Sequence, residues 1–153
     1  MQNIALIFGA KSAEHEVSIV TGLQAFEWID KSKYNPYLLY LDNQNQAFIC
    51  YHPVAKDYKD TIKKCLAENR KVQFVHGGII ISQGLFKKKI SLDAVIMATH
   101  GCNGEDGKLQ VLLDFYNIPY TGSGVSGSAL GMDKILMKDI FLKHKLPLAK
   151  HLW

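Results

Sequence analysis

Cysteine is scarce in this chain of 153 residues: Cys50, Cys65 and Cys102 are the only three. An odd count without a CxxC pair argues against a disulfide framework and against a zinc site. A reducing compartment is then the natural reading. Long apolar runs are also lacking, and nothing approaches the ~18 residues of a membrane span. The start, Met1-Gln2-Asn3, carries no basic stretch, and Ile4 to Phe8 is too short for the apolar core of a signal peptide. These absences lead us to expect a cytoplasmic protein. Charge of one sign is lacking as well. Eighteen basic residues face 14 acidic ones, for a net charge of +4, and the lysines are scattered, so nucleic acid is not indicated as a partner. Three signatures are missing: GxGxxG after the first strand, GxxxxGK[ST], and GxSxG. Their absence disfavours a dinucleotide-binding Rossmann domain, a P-loop enzyme and a hydrolase elbow.

What is present is an ordinary globular composition, 48% hydrophobic and 21% charged. A chain of this length can bury roughly two-thirds of its unfolded surface without a staple. Asn3 to Phe8 is a continuous apolar run that stops at Gly9, which suits a strand buried on both faces. Ile19, Leu23 and Phe26 then mark a helix ending near Asp30, and Tyr34 to Leu41 reads as a second strand. The opening is therefore a βαβ unit. Further on, Ala47 to Tyr51 reads as a short strand. Asp57 to Asn69 reads as a helix with Tyr58, Ile62, Cys65 and Leu66 on one face. Gly77-Gly78 marks a hairpin between Val72–Val75 and Ile79–Ser82. Phe86 to Ile90 adds an edge strand with lysines toward water. Ala94 to Ala98 is another buried strand, followed by a helix through Leu109, Leu112, Leu113 and Tyr116. Thr121 to Gly124 is the best linker, and Asp133 can cap a helix running through His144.

Two loops stand out. Each follows a buried strand, contains glycine and acidic residues, and leads into a helix. The first holds Ser12, Glu14, His15, Glu16 and Ser18, and the second holds His100, Gly101, Glu105 and Asp106. In an open parallel sheet, ligands sit beyond the carboxyl ends of the strands, where such loops gather. Ser12, Glu105 and Asp106 also suit helix capping. Capping does not call for three consecutive ionisable residues at Glu14 to Glu16.

Three motifs carry a resemblance: Phe8 to Ser18 (FGAKSAEHEVS); His100 to Gly107 (HGCNGEDG) with Leu109-Gln110; and Ile118 to Gly124 (IPYTGSG) through Ser128-Ala129 to Met132-Asp133-Lys134. In this order they resemble the N-terminal part of the D-alanine–D-alanine ligases, within the ATP-grasp superfamily. Three positions depart from that family's glycines: Ala10, Val111 and Lys145. Alanine at 10 would be strained if its φ were positive.

The resemblance implies an α/β fold: a three-layer, Rossmann-like pre-ATP-grasp domain with a mainly parallel sheet, over residues 1–122. Residues 123–153 would open the central ATP-grasp domain. It implies an ATP- and Mg²⁺-dependent enzyme that joins two D-alanines through an acyl phosphate, for peptidoglycan synthesis. Glu14 and His100 are the implied catalytic residues, Val17, Ser18 and Gly101 would bind substrate, and Lys134 would lie on the nucleotide side. No metal ligand is expected in this chain, and D-alanine, ATP and a second copy of the chain are the implied partners. Ligases that take D-lactate or D-serine second, or a non-catalytic amino-acid-binding or dimerisation module, are the alternative readings.

Overall fold

The computed structural model describes residues 1–51, 53 and 57–152. Among the described residues seven strands form one sheet: β1 (Gln2–Gly9), β2 (Tyr34–Leu41), β3 (Ala47–Cys50), β4 (Lys71–Val75), β5 (Gly78–Gln83), β6 (Phe86–Ser91) and β7 (Ala94–Met97). Five helices accompany them among the same described residues: α1 (His15–Trp28), α2 (Tyr58–Glu68), α3 (Lys108–Phe115), α4 (Val125–Met132) and α5 (Lys134–Lys143). The strand order is β6-β5-β4-β3-β2-β1-β7.

β1 is buried from Ile4 onward because it lies between two parallel neighbours, β2 and β7, and under helices on both faces. Alternation along the strands sorts the core into two layers. Leu6, Phe8, Leu38 and Tyr40 pack with Ile19 and Leu23 of α1 and Cys65 of α2. Ala5, Ile7, Leu39 and Leu41 pack on the other face with Leu109 and Leu113 of α3. The α/β class and the three layers are as expected. The mainly parallel sheet is corrected to a mixed one: β2-β1-β7 is parallel, while β2 through β6 pair antiparallel in succession. The short connections after β2, β4 and β5 cannot carry the crossover that a parallel neighbour needs, so the strands turn back.

Local chemistry explains both ends of α2 and the start of α5. Asp57 caps α2 by accepting from the Asp60 amide, and Asn69 closes it in the left-handed region. Asp133 caps α5 through the amides of Ile135 and Leu136. Leu66 was expected on the apolar face of α2 but is partly exposed, and the strand expected to reach Tyr51 ends at Cys50.

The expectation of unpaired thiols is overturned. Cys50 at the end of β3 and Cys65 on α2 form a disulfide, with Cα atoms 5.0 Å apart, and Cys102 alone is free and exposed. The fold stacks α2 on β3, so two cysteines 15 positions apart meet. The argument from free thiols to a reducing compartment goes with it. Among the described residues no helix is long and apolar enough to cross a membrane.

Gly22 sets how closely α1 approaches β1. A Cβ built there would stand 2.5 Å from the Phe8 Cβ, so the helix can dock only where a side chain is absent. Gly22→Ala is expected to destabilise the fold by about 1–3 kcal/mol through overpacking, although alanine gains up to about 1 kcal/mol in helix propensity. Urea denaturation measures the balance, and an unchanged or raised midpoint would contradict this packing.

Candidate functional site at the ends of β1 and β7

β1 leads to the loop 10–14 and β7 to the loop 98–107, and the two strands are neighbours, so their loops emerge side by side. The chain leaves β1 toward β2 on one side and returns as β7 on the other. That is the switch point at which α/β sheets bind ligands.

The first loop begins on a left-handed residue. Ala10 has φ +73°, in the region that costs a non-glycine residue about 1–2 kcal/mol. The position left vacant by the family's glycine is thus strained, as its sequence suggested. Several bonds hold it. The Ala10 amide donates to the Leu41 carbonyl at 2.8 Å, and the Ala10 carbonyl accepts from His15 Nδ1 at 2.6 Å. Lys11 N donates to Asn45 Oδ1 at 2.8 Å. Asn103 of the second loop reaches across to donate from Nδ2 to the Lys11 carbonyl at 2.6 Å. The two loops are therefore one assembly.

Gly101 is where they touch. Its φ is +69°, and a Cβ there would stand 2.6 Å from Glu14 Oε2 and 2.7 Å from Ser12 Oγ. Only glycine fits. Glu14 precedes α1, is exposed, and makes no capping bond with its carboxylate. The capping role considered for it is not the one it plays. Val17, one turn along α1, is 56% exposed beside it in the chain.

His100 is oriented by Thr21. The Thr21 hydroxyl donates to the Val17 carbonyl at 3.0 Å, so its oxygen accepts from His100 Nε2 at 2.9 Å. The other ring nitrogen, Nδ1, lies 3.9 Å from Glu105 Oε1. Glu105 Oε2 in turn accepts from the Gly101 amide at 2.7 Å. Asp106 does turn work: it accepts from the Asn103 amide, the Lys108 amide and the Lys108 ammonium, the last at 2.7 Å. Desolvation opposes ionisation of Asp106, but these bonds together hold its carboxyl below the usual range.

Ser18 stands apart from the open side chains. It is 0% exposed, and its Oγ accepts from the Gly9 amide at 2.7 Å and donates to the Ala98 carbonyl at 2.8 Å. Its hydroxyl is spent inside the protein.

Lys134 opens α5, where its ammonium donates to the Gly131 carbonyl at 3.0 Å rather than meeting Glu14 or His100. It lines a cleft of about 440 Å³ with Thr99, Glu105, Gln110 and Ser128. Gln110, buried in α3, donates from Nε2 to the Gly104 carbonyl and to Ser128 Oγ, both at 3.2 Å, and so ties α4 to the second loop. Among the described residues no group of three or more His, Cys, Asp or Glu is placed to hold a metal. These residues do not by themselves fit Mg²⁺.

Sequence reasoning missed Thr21, Tyr40, Asn45 and Asn103 as parts of this assembly. Asn45 and Asn103 both sit at positive φ, and an Asn in a polar loop is the signal that points there. Gln110 stood in a quoted motif without a role.

Residues 3–123 match the family described as D-ala D-ala ligase N-terminus. A D-alanine–D-alanine ligase of Thermosipho africanus is 33% identical over all of this chain and 42% of its own length. One of Ruminiclostridium cellulolyticum is 36% identical over 99% of this chain and 43% of its own. The chain thus spans less than half the length of these relatives. The crystal structure of the Helicobacter pylori D-alanine–D-alanine ligase superposes with a TM-score of 0.81 at 27% identity, covering 99% of this chain and 47% of that one. The VanG D-Ala:D-Ser ligase of Enterococcus faecalis gives 0.82 at 25% identity, covering 97% and 43%. Fold, motif geometry and matched span agree, and the chain belongs to the family of D-alanine–D-alanine ligase N-termini.

Proposed function

We propose that this chain is the part of an ATP-dependent ligase that holds the first D-alanine while the enzyme joins it to a second, through an acyl phosphate, for peptidoglycan synthesis in the cytoplasm. The observation that carries this reading is the Glu14 carboxylate, free of capping duty and seated over Gly101 where the loops of β1 and β7 meet. A carboxylate there meets the ammonium of an amino acid through a charge-assisted bond, which fixes its position and its hand. Val17 lines the methyl side. Gly101 lets the ligand approach the backbone. His100, steadied by its Nε2–H bond to Thr21, stands at the reacting end of the first D-alanine. Ser18 acts from behind by joining the ends of β1 and β7.

ATP supplies the phosphoryl group. In this chain Lys134 and its cleft form one wall for the phosphates, so we propose that residues 123–153 open the nucleotide-binding domain and residues 1–122 form the substrate domain. The absence of any fully buried residue in α4 and α5 supports that division, since such helices need further partners. One wall cannot desolvate a triphosphate, so the chain by itself is expected to catalyse no ligation.

The decisive measurement is D-alanine-dependent phosphate release by the ligase that contains this chain, with D-lactate and D-serine offered as second substrates. Release with D-alanine alone supports the reading. A preference for D-serine favours the second one, which the likeness to the D-Ala:D-Ser ligase keeps open. No release with any of them overturns both. Light scattering of the same protein tests the proposed homodimer, which a monomer mass at all concentrations would refute.

A further inference from the structure

We propose that His15 is a positioning residue for Glu14: as its Nδ1–H tautomer it bridges the Ala10 carbonyl and the Tyr40 hydroxyl, and so holds the loop that presents the Glu14 carboxylate. The inference rests on the reading of Glu14 above.

The tautomer follows from the partners. A carbonyl oxygen can only accept, so the 2.6 Å contact with Ala10 requires the proton on Nδ1. Nε2 of the neutral ring is then an acceptor, and the Tyr40 hydroxyl stands 3.0 Å away to donate to it. Tyr40 is in the protein interior, and burial, with Asp42 adding to it, pushes its hydroxyl up to about 12. It therefore keeps its proton at neutral pH. The reverse tautomer would set the Nδ1 lone pair against those of the Ala10 carbonyl. The ring also meets the Tyr40 ring edge to face, centroids 5.6 Å apart.

The consequence for Glu14 is geometric. Ala10 is an L-residue in left-handed conformation, and such a residue stays there only where its surroundings hold it. His15 follows Glu14 directly and reaches back to the first residue of the loop, so the ring closes the segment 10–15 on itself. Through Tyr40 it also fixes that segment to β2. Without the ring, the Ala10 carbonyl loses its partner, and the backbone that carries Glu14 loses its tie to the sheet.

The test uses the full-length ligase. Nitrogen-15 NMR of histidine-labelled protein at neutral pH is expected to show the His15 proton on Nδ1; a proton on Nε2 overturns the proposal. His15→Ala is expected to raise the KM for the first D-alanine about three- to tenfold with kcat within about twofold. The amide nitrogen of His15→Asn stands where Nδ1 stands and should recover most of that loss. His15→Gln, which reaches toward Tyr40 instead, should not. A merely structural role would lower thermal stability alike in all three without separating KM from kcat. If Glu14→Gln raises KM and His15→Ala does not, this inference alone fails. If Glu14→Gln leaves KM unchanged, the reading of Glu14 fails and the positioning role with it.

Discussion

Ser18→Ala is expected to cost about 2–4 kcal/mol of stability, because it leaves two buried backbone groups without partners, each worth roughly 1–3 kcal/mol when unsatisfied. The hydroxyl sits at the meeting point of three elements. It lies on α1, accepts from the last residue of β1 and donates to the residue that follows β7. Its complete burial means that no solvent is at hand to replace it. Removing one oxygen thus loosens both strands from the helix at the base of the two loops. Thermal or urea denaturation reads the effect directly. Unchanged stability together with a raised KM for D-alanine would return Ser18 to the substrate contact that its place in the motif suggested.

Glu14→Gln is expected to do the reverse: activity falls and the fold stands. The substitution keeps the size and removes the charge. In the complete ligase kcat/KM for the first D-alanine should fall at least about tenfold, since the ammonium then faces a neutral amide. Stability should hardly move, because Glu14 is exposed and its carboxylate caps nothing. Steady-state kinetics decide the matter, and parameters equal to those of the unmodified enzyme would remove Glu14 from the substrate site. The pair of variants separates two residues of one motif that the chain places four positions apart. One is spent on the scaffold and the other is exposed without a capping bond.

That separation was not legible beforehand. Ser18 and Glu14 belong to the same quoted run, and nothing in the run tells which side chain turns inward. Other elements were plain. β1 is read as a strand because a strand covered on both faces is a continuous apolar run, and the two-residue turn at His76-Gly77 fits the hairpin signal. α4 was missed for an equally physical reason. Val125–Met132 holds two glycines and two serines, starts from Gly124 without a side-chain cap and buries no residue, so it shows no apolar stripe to read.

The amino-acid sequence by itself determined the α/β class, the position of the βαβ opening and the two glycine- and acid-bearing loops after β1 and β7, since each rests on a pattern within a dozen residues. Its departure at Ala10 also announced the strain that the backbone carries. The tertiary structure alone decided which distant groups meet. His100 takes its orientation from Thr21, 79 positions away, and Asn103 ties itself to Lys11, 92 positions away. The sheet turns back on itself after β2, and its layering brings Cys50 onto Cys65. Periodicity records which face of an element is buried, but not what it is buried against. Hydrogen bonds and disulfides depend on that second fact, and it exists only once the strands have taken their order.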